Sequence, residues 1–265
     1  MELKTAFDNR HRGAMIKHDH FFDIYDSHLG HLQGKPDMKI LEIGVYNGGS
    51  LYMWNNYFPG SRVVGIDIDP YTKRWEEPDK NIRVEIGDQC DKDFLQKIVD
   101  EEGPFDLIID DAGHENHQII TSFEFLFPHL VEGGTYVVED TFASYWPGYS
   151  CDREIGTNGE VLNPVLKPFD KENTSMEFLK ALTDKCNCWA YRHKEAEDLR
   201  VEGELDQYEK GLYSIHFYDS IVIANKISRN GGECYGKDQW YEHKDAAKEY
   251  TTDPYTGKNG YGTKI

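Results

Sequence analysis

Two short apolar runs each end in a pair of acids. DLIIDDAGHENH places Asp110 and Asp111 at the close of one run, and TYVVEDTFASYWPGY places Glu139 and Asp140 at the close of another. If these runs are neighbouring strands, four carboxylates meet at one edge of a sheet. Like charges held that close raise one another's pKa and destabilise the fold, and a hard divalent ion would relieve them. Mg²⁺ prefers such oxygen ligands and keeps open positions for water or a bound hydroxyl. The competing reading has one acid capping a helix and another taking a ligand's amino group, with no metal. His114 follows Asp111 by three residues, where the chain leaves the strand. An imidazole there suits a general base acting on a hydroxyl. Its other reading is a hydrogen bond to the adjacent loop, and His117, expected to begin a helix, is its rival.

A second group of residues suits a small ligand. The segment LEIGVYNGGS carries Glu42, Gly44, Tyr46, Gly48, Gly49 and Ser50 on a strand-to-helix turn. Glycine lets backbone approach a ligand closely there. Its spacing is E-x-G-x-x-x-G, not the G-x-G-x-x-G that cradles a pyrophosphate, which disfavours a dinucleotide. In GIDIDP, Asp67 is placed to accept both hydroxyls of a ribose, with Asp69 as competitor. In GDQCD, Asp88 and Gln89 are placed to read an adenine edge. Taken singly each aspartate reads equally well as a turn or capping residue. At consecutive strand ends they form one crevice.

The elements that must position these residues are legible from periodicity. Short apolar runs at Lys39–Ile43, Arg62–Ile66, Arg83–Ile86, Asp106–Ile109 and Thr135–Val138 read as strands covered on both faces. Ser50–Tyr57, Asp91–Glu101 and His117–Leu130 carry apolar residues at helical spacing, with Pro59, Gly103 and Gly133-Gly134 as stops. This predicts an α/β fold, doubly wound around a mostly parallel sheet. An amphipathic helix near Phe21–Leu29 precedes the first strand, with His11, His18, His20, His28 and His31 scattered about it and read as solvated. A helix near Met176–Asp184 and a strand over Ser214–Ala224 come later. Phe217, Tyr218 and Trp189 are expected in the core. The organisation expected is a single domain over 1–228, a loop or lid over 141–173, and a polar, Gly- and Tyr-containing tail over 229–265.

Composition narrows the partners. With 48 acidic and 29 basic residues in 265, the net charge of −19 opposes a broad phosphate-binding surface, so nucleic acid is not expected. The five cysteines lack paired metal spacing and read as reduced thiols. No apolar run approaches the roughly 20 residues that cross a bilayer. The residues from Met1 to Arg12 are charged where a signal peptide would be apolar, so the expectation is a cytoplasmic protein without a membrane partner. A homo-oligomer is compatible with the sequence.

From Ile40 to Asp140, and again near Ser214–Ala224, the sequence resembles the class I S-adenosylmethionine-dependent methyltransferases. The likeness implies a Rossmann-like, seven-stranded sheet, a glycine loop holding the methionine part and Asp67 holding the ribose, with Asp110 counted among the cofactor residues. IIDDAGHENHQIITSFEFLFPHL and GGTYVVEDTFASYWPGY resemble the Mg-dependent macrocin, mycinamicin and rhamnosyl sugar O-methyltransferases more specifically. That resemblance implies Mg²⁺ on Asp111, Glu139 and Asp140, vicinal sugar hydroxyls chelated by the ion, and His114 as base. Ala112 and Gly113 depart from the Gly and Ser often found there, and a long insertion follows Tyr149. Tyr145, Trp146 and Tyr149 offer aromatic faces for a sugar or glycan acceptor. Alternatives are a catechol-type phenolic O-methyltransferase and a hydroxylase-associated or cofactor-binding protein without transfer activity.

Overall fold

The computed structural model describes residues 1–146, 174–188 and 203–228. The expected tail, Trp189, Tyr149 and most of the 141–173 segment lie outside the described residues. Seven strands, β1 (Lys39–Ile43), β2 (Arg62–Asp67), β3 (Ile82–Ile86), β4 (Phe105–Asp110), β5 (Leu130–Glu139), β6 (Leu212–Tyr218) and β7 (Ile221–Lys226), make one sheet in the order β3-β2-β1-β4-β5-β7-β6. β1 to β5 run parallel, and β7 is antiparallel to both β5 and β6. The strand order reverses between β1 and β4, which opens a crevice at their carboxyl ends.

Parallel strands need covering on both faces, and the residues alternate to supply it. Ile40, Val63, Leu107, Ile109 and Val137 face one core. It is closed by helices α1 (Leu3–Asp8), α2 (Asp19–Leu29) and α3 (Gly49–Tyr57), whose Leu3, Phe21, Tyr25, Leu51 and Trp54 are fully buried. Leu41, Val64, Ile108 and Val138 face the other core. There α4 (Lys92–Glu102), α5 (Asn116–Leu126) and α6 (Ser175–Cys186) contribute Leu95, Ile98, Ile119, Phe123 and Leu179. A short α7 (Gln207–Gly211) leads into β6. Local signals fix the starts of the crossover helices. Asp91 caps α4 by accepting from the Asp93 and Phe94 N–H, and Glu115 with Gln118 forms a reciprocal capping box at α5.

Three elements differ from the sequence expectation. The run 214–224 is a hairpin of two strands, because Asp219-Ser220 turns the chain, with Ser220 at φ 65°. The helix expected to reach Leu130 ends at Leu126. Pro128, which lacks a donor, sits in a 3₁₀ turn, and Gly133-Gly134 belongs to β5. Phe217 and Tyr218 are partly exposed on the outermost strand rather than in the core, because β6 has a neighbour on one side only.

Candidate active site

At the carboxyl ends of β1, β2, β3 and β4 lies a cavity of about 360 Å³, lined among others by Gly44, Tyr46, Asp67, Asp88, Gln89 and Asp111. Its size suits a small-molecule ligand. Gly44 sits at φ 94°, and a Cβ there would lie 2.2 Å from the Asp111 carbonyl oxygen, so only glycine fits. Asp67 Oδ2 accepts from the Val45 and Tyr46 N–H at 2.8 and 3.0 Å, and Oδ1 accepts from the Asp69 N–H at 2.9 Å. Asp88 Oδ1 accepts from the Cys90 N–H at 2.8 Å. Each aspartate therefore closes a turn and lines the cavity at once.

Three expected cofactor residues stand behind that wall. Glu42 is fully buried, accepts from Ser50 Oγ at 2.8 Å and Trp54 Nε1 at 3.2 Å, and is pushed by burial to a pKa of about 7. Asp110 is buried against Ser122, whose hydroxyl it accepts, with Gln89 Nε2 at 3.3 Å and Tyr136 Oη at 3.4 Å. Burial raises it to about 6. Glu42, Ser50 and Asp110 do not line this cavity and stand behind residues that do. Successive strand residues point to opposite faces, which sends Asp110 toward α5 and Asp111 toward the crevice.

Beside the cavity, ligand atoms of Asp111, His114 and Asp140 lie within 4.8 Å of one another. His114 Nε2 is 3.6 Å from Asp140 Oδ2, and His18 Nε2 is 3.7 Å from Asp140 Oδ1. Burial first, then Asp111, raises the Asp140 carboxyl. Glu139, expected to join this group, is buried and turned inward. Both of its oxygens accept from Lys17 Nζ, at 2.5 and 2.6 Å, and Oε1 also accepts from Tyr25 Oη. Lys17 Nζ donates to Asp111 Oδ2 as well, at 2.9 Å. Burial alone would lower this ammonium, but Asp111 and Glu139 hold it well above the usual lysine range. Two carboxylates and an imidazole converging at a strand end fit a hard divalent ion with Asp111 and Asp140 as oxygen donors. His117 pairs instead with Glu115 at 3.4 Å in the first turn of α5. Tyr145 and Trp146 end the 3₁₀ turn that follows Asp140, and Trp146 is half-exposed with its ring 4.6 Å from that of Phe142.

Residues 41–141 match the family described as methyltransferase domain. Over that segment the chain is similar to methyltransferase domains. Over 221 residues, 80% of its length, it is 33% identical to the mycinamicin VI 2''-O-methyltransferase of Micromonospora griseorubida, covering 49% of that protein. Over 222 residues it is 33% identical to the demethylmacrocin O-methyltransferase of Streptomyces fradiae, again covering 80% of this chain and 50% of the relative. The chain thus spans about half the length of the curated relatives it matches. The MycE methyltransferase of the mycinamycin biosynthetic pathway, solved in complex with Mg, SAH and mycinamycin VI, superposes with a TM-score of 0.71 at 27% identity. That match covers 93% of this chain and 59% of MycE.

The segment 41–141 does not supply every side chain of the site. Lys17, His18 and Tyr25 come from the segment before it; residue type and spacing do not point to Lys17 or Tyr25, and His18, read as solvated, stands beside Asp140. Tyr25 reads as one more apolar residue of an amphipathic helix, and Lys17 as a solvated charge in a polar stretch. A local signal does exist in the backbone of the glycine loop. The Ala14 N–H donates to Asn47 O at 3.2 Å and the Gly49 N–H donates to Ala14 O at 3.3 Å, which straps residues before α2 across the methyltransferase loop. Among the described residues no helix is long and apolar enough to cross a membrane.

Proposed function

We propose that this chain is an S-adenosylmethionine-dependent O-methyltransferase acting on a hydroxyl of a sugar or glycoside, with Mg²⁺ beside the acceptor and His114 as general base. The observation that carries the reading is the double position of Asp111. It lines the cavity that suits the cofactor and also belongs to the Asp111, His114 and Asp140 group. Donor and acceptor sites therefore share a wall. The sugar-modifying relatives and the magnesium and SAH bound by MycE support the same assignment.

S-adenosylmethionine supplies an already activated methyl group, and Mg²⁺ supplies Lewis acidity to vicinal hydroxyls. Asp67, Asp88 and Gln89 hold the adenosine part in the crevice. Asp111 and Asp140 hold the ion. His114 Nε2 takes the proton of the acceptor hydroxyl, and Asp140 stabilises the imidazolium that forms. Tyr145 and Trp146 offer faces for the sugar C–H surface. The catalytic unit is residues 1–228, working on a small-molecule or glycan acceptor in the cytoplasm. Calorimetric titration with S-adenosylhomocysteine, followed by methyl transfer to a panel of glycosides and catechols with and without Mg²⁺, tests the proposal. Binding with transfer to glycosides supports it. Transfer confined to catechols moves the acceptor to phenols, and binding of NAD in place of S-adenosylhomocysteine overturns it.

A further inference from the structure

Lys17 is a buried ammonium between Asp111, an acid of the proposed ion site, and Glu139, which stands behind that site. Its side chain is 1% exposed and that of Glu139 2%. All three donors of an ammonium find acceptors here: Asp111 Oδ2 at 2.9 Å and the two Glu139 oxygens at 2.5 and 2.6 Å. Among the described residues it is the only lysine or arginine bonded to Asp111, Glu139 or Asp140. Three carboxylates and one ammonium carry a formal charge of minus two, which matches a divalent cation.

We propose that Lys17 is a positioning residue for the ion site, a fixed internal cation that orients Glu139 and Asp111 and limits the negative charge the site presents. The proposal rests on the divalent-ion reading above. A cation fixed this close repels the ion, so the wild-type site binds it less tightly than three unpaired carboxylates would. In exchange the donors carry less charge, and the ion keeps more of its Lewis acidity for the hydroxyl. Orientation follows from the same contacts. With Glu139 occupied inward, the ion is kept on the outer side of the acids, where His114 and Asp140 meet.

The test uses the full chain and Mn²⁺ as probe, titrated calorimetrically and by electron paramagnetic resonance without acceptor. Lys17→Met and the more conservative Lys17→Gln are compared with wild type, each checked for fold by circular dichroism. The expected result is Mn²⁺ affinity raised roughly tenfold or more, with methyl transfer lowered about a hundredfold. A residue that merely supported the local fold would lower affinity and transfer together. Equal or weaker Mn²⁺ binding in a folded Lys17→Gln protein overturns the assignment and leaves the metal reading standing. Binding by the variants but not by wild type overturns the positioning role and the ion reading together, because Lys17 would then stand in the place of the ion. No binding by any of the proteins overturns both.

Discussion

His114 Nε2 stands 3.6 Å from Asp140 Oδ2, and both residues hold left-handed backbone, at φ 56° and 52°. Such conformations cost about 1–3 kcal/mol each outside glycine and persist where the surroundings enforce them. The capping box at Glu115 and the end of β5 do so here, aiming the imidazole and the carboxylate at one point. If His114 is the base, His114→Gln should keep the fold and its affinity for S-adenosylhomocysteine. It should lose on the order of 10² to 10⁴ in single-turnover transfer. His117→Gln, paired with Glu115 instead, should remain close to wild type. A fully active His114→Gln enzyme would sink the assignment.

Asp67 organises the glycine loop as well as lining the cavity. Asp67→Ala leaves the Val45 and Tyr46 N–H without their acceptor and removes the proposed ribose ligand. Loss of such charge-assisted bonds is expected to weaken S-adenosylhomocysteine by about 1–3 kcal/mol. Asp88→Ala, which unties one turn bond, should cost less. Calorimetry on both variants decides the matter, and unchanged affinity in Asp67→Ala would place the ribose elsewhere.

Transfer should require a divalent ion. EDTA is expected to abolish it and Mg²⁺ to restore it, and Asp140→Asn should raise the Mg²⁺ concentration needed for half-maximal rate by roughly tenfold or more. A rigorously demetallated enzyme working at the original rate would leave the converging acids to be explained by Lys17 alone.

Glu42 makes a prediction about stability. Its carboxyl rises from an ordinary 4.5 to about 7 in the folded chain, chiefly through burial. The folded state then holds the proton more tightly than the unfolded state does. This group weakens the fold progressively as pH climbs from 4.5 to 7, by about 3 kcal/mol in all, and by a constant amount above that. Glu42→Gln carries no such penalty. Urea unfolding across this window should show a flatter pH dependence for the variant, and superimposable profiles would contradict the burial argument.

The parallel half of the sheet was legible because β1, β2 and β4 are largely apolar and β3 alternates apolar with charged residues, each with turn residues at its end. The crevice residues were legible for the same reason, since Gly44, Asp67, Asp88 and Asp111 all sit at or just past strand ends. What escaped was direction. Strand alternation at the end of β4 separates Asp110 from Asp111, and the left-handed turn at Asp140 separates it from Glu139, yet each pair reads as two adjacent acids. Lys17 escaped because nothing in its neighbours' types announces that a lysine will be buried.

The Lys17 contacts bear on how the protein is made. Its two acids lie 94 and 122 residues further along the chain. During synthesis the segment that holds Lys17 leaves the ribosome well before β4 and β5 exist, so it must wait for its partners. Closing loops of that length brings no return until the strands are paired. The reactive corner is thus finished by a segment made before β1 docking onto the last-made part of the parallel sheet. An interrupted translation product would contain the whole glycine loop, to which Ala14 bonds, and still lack the acids that hold Lys17.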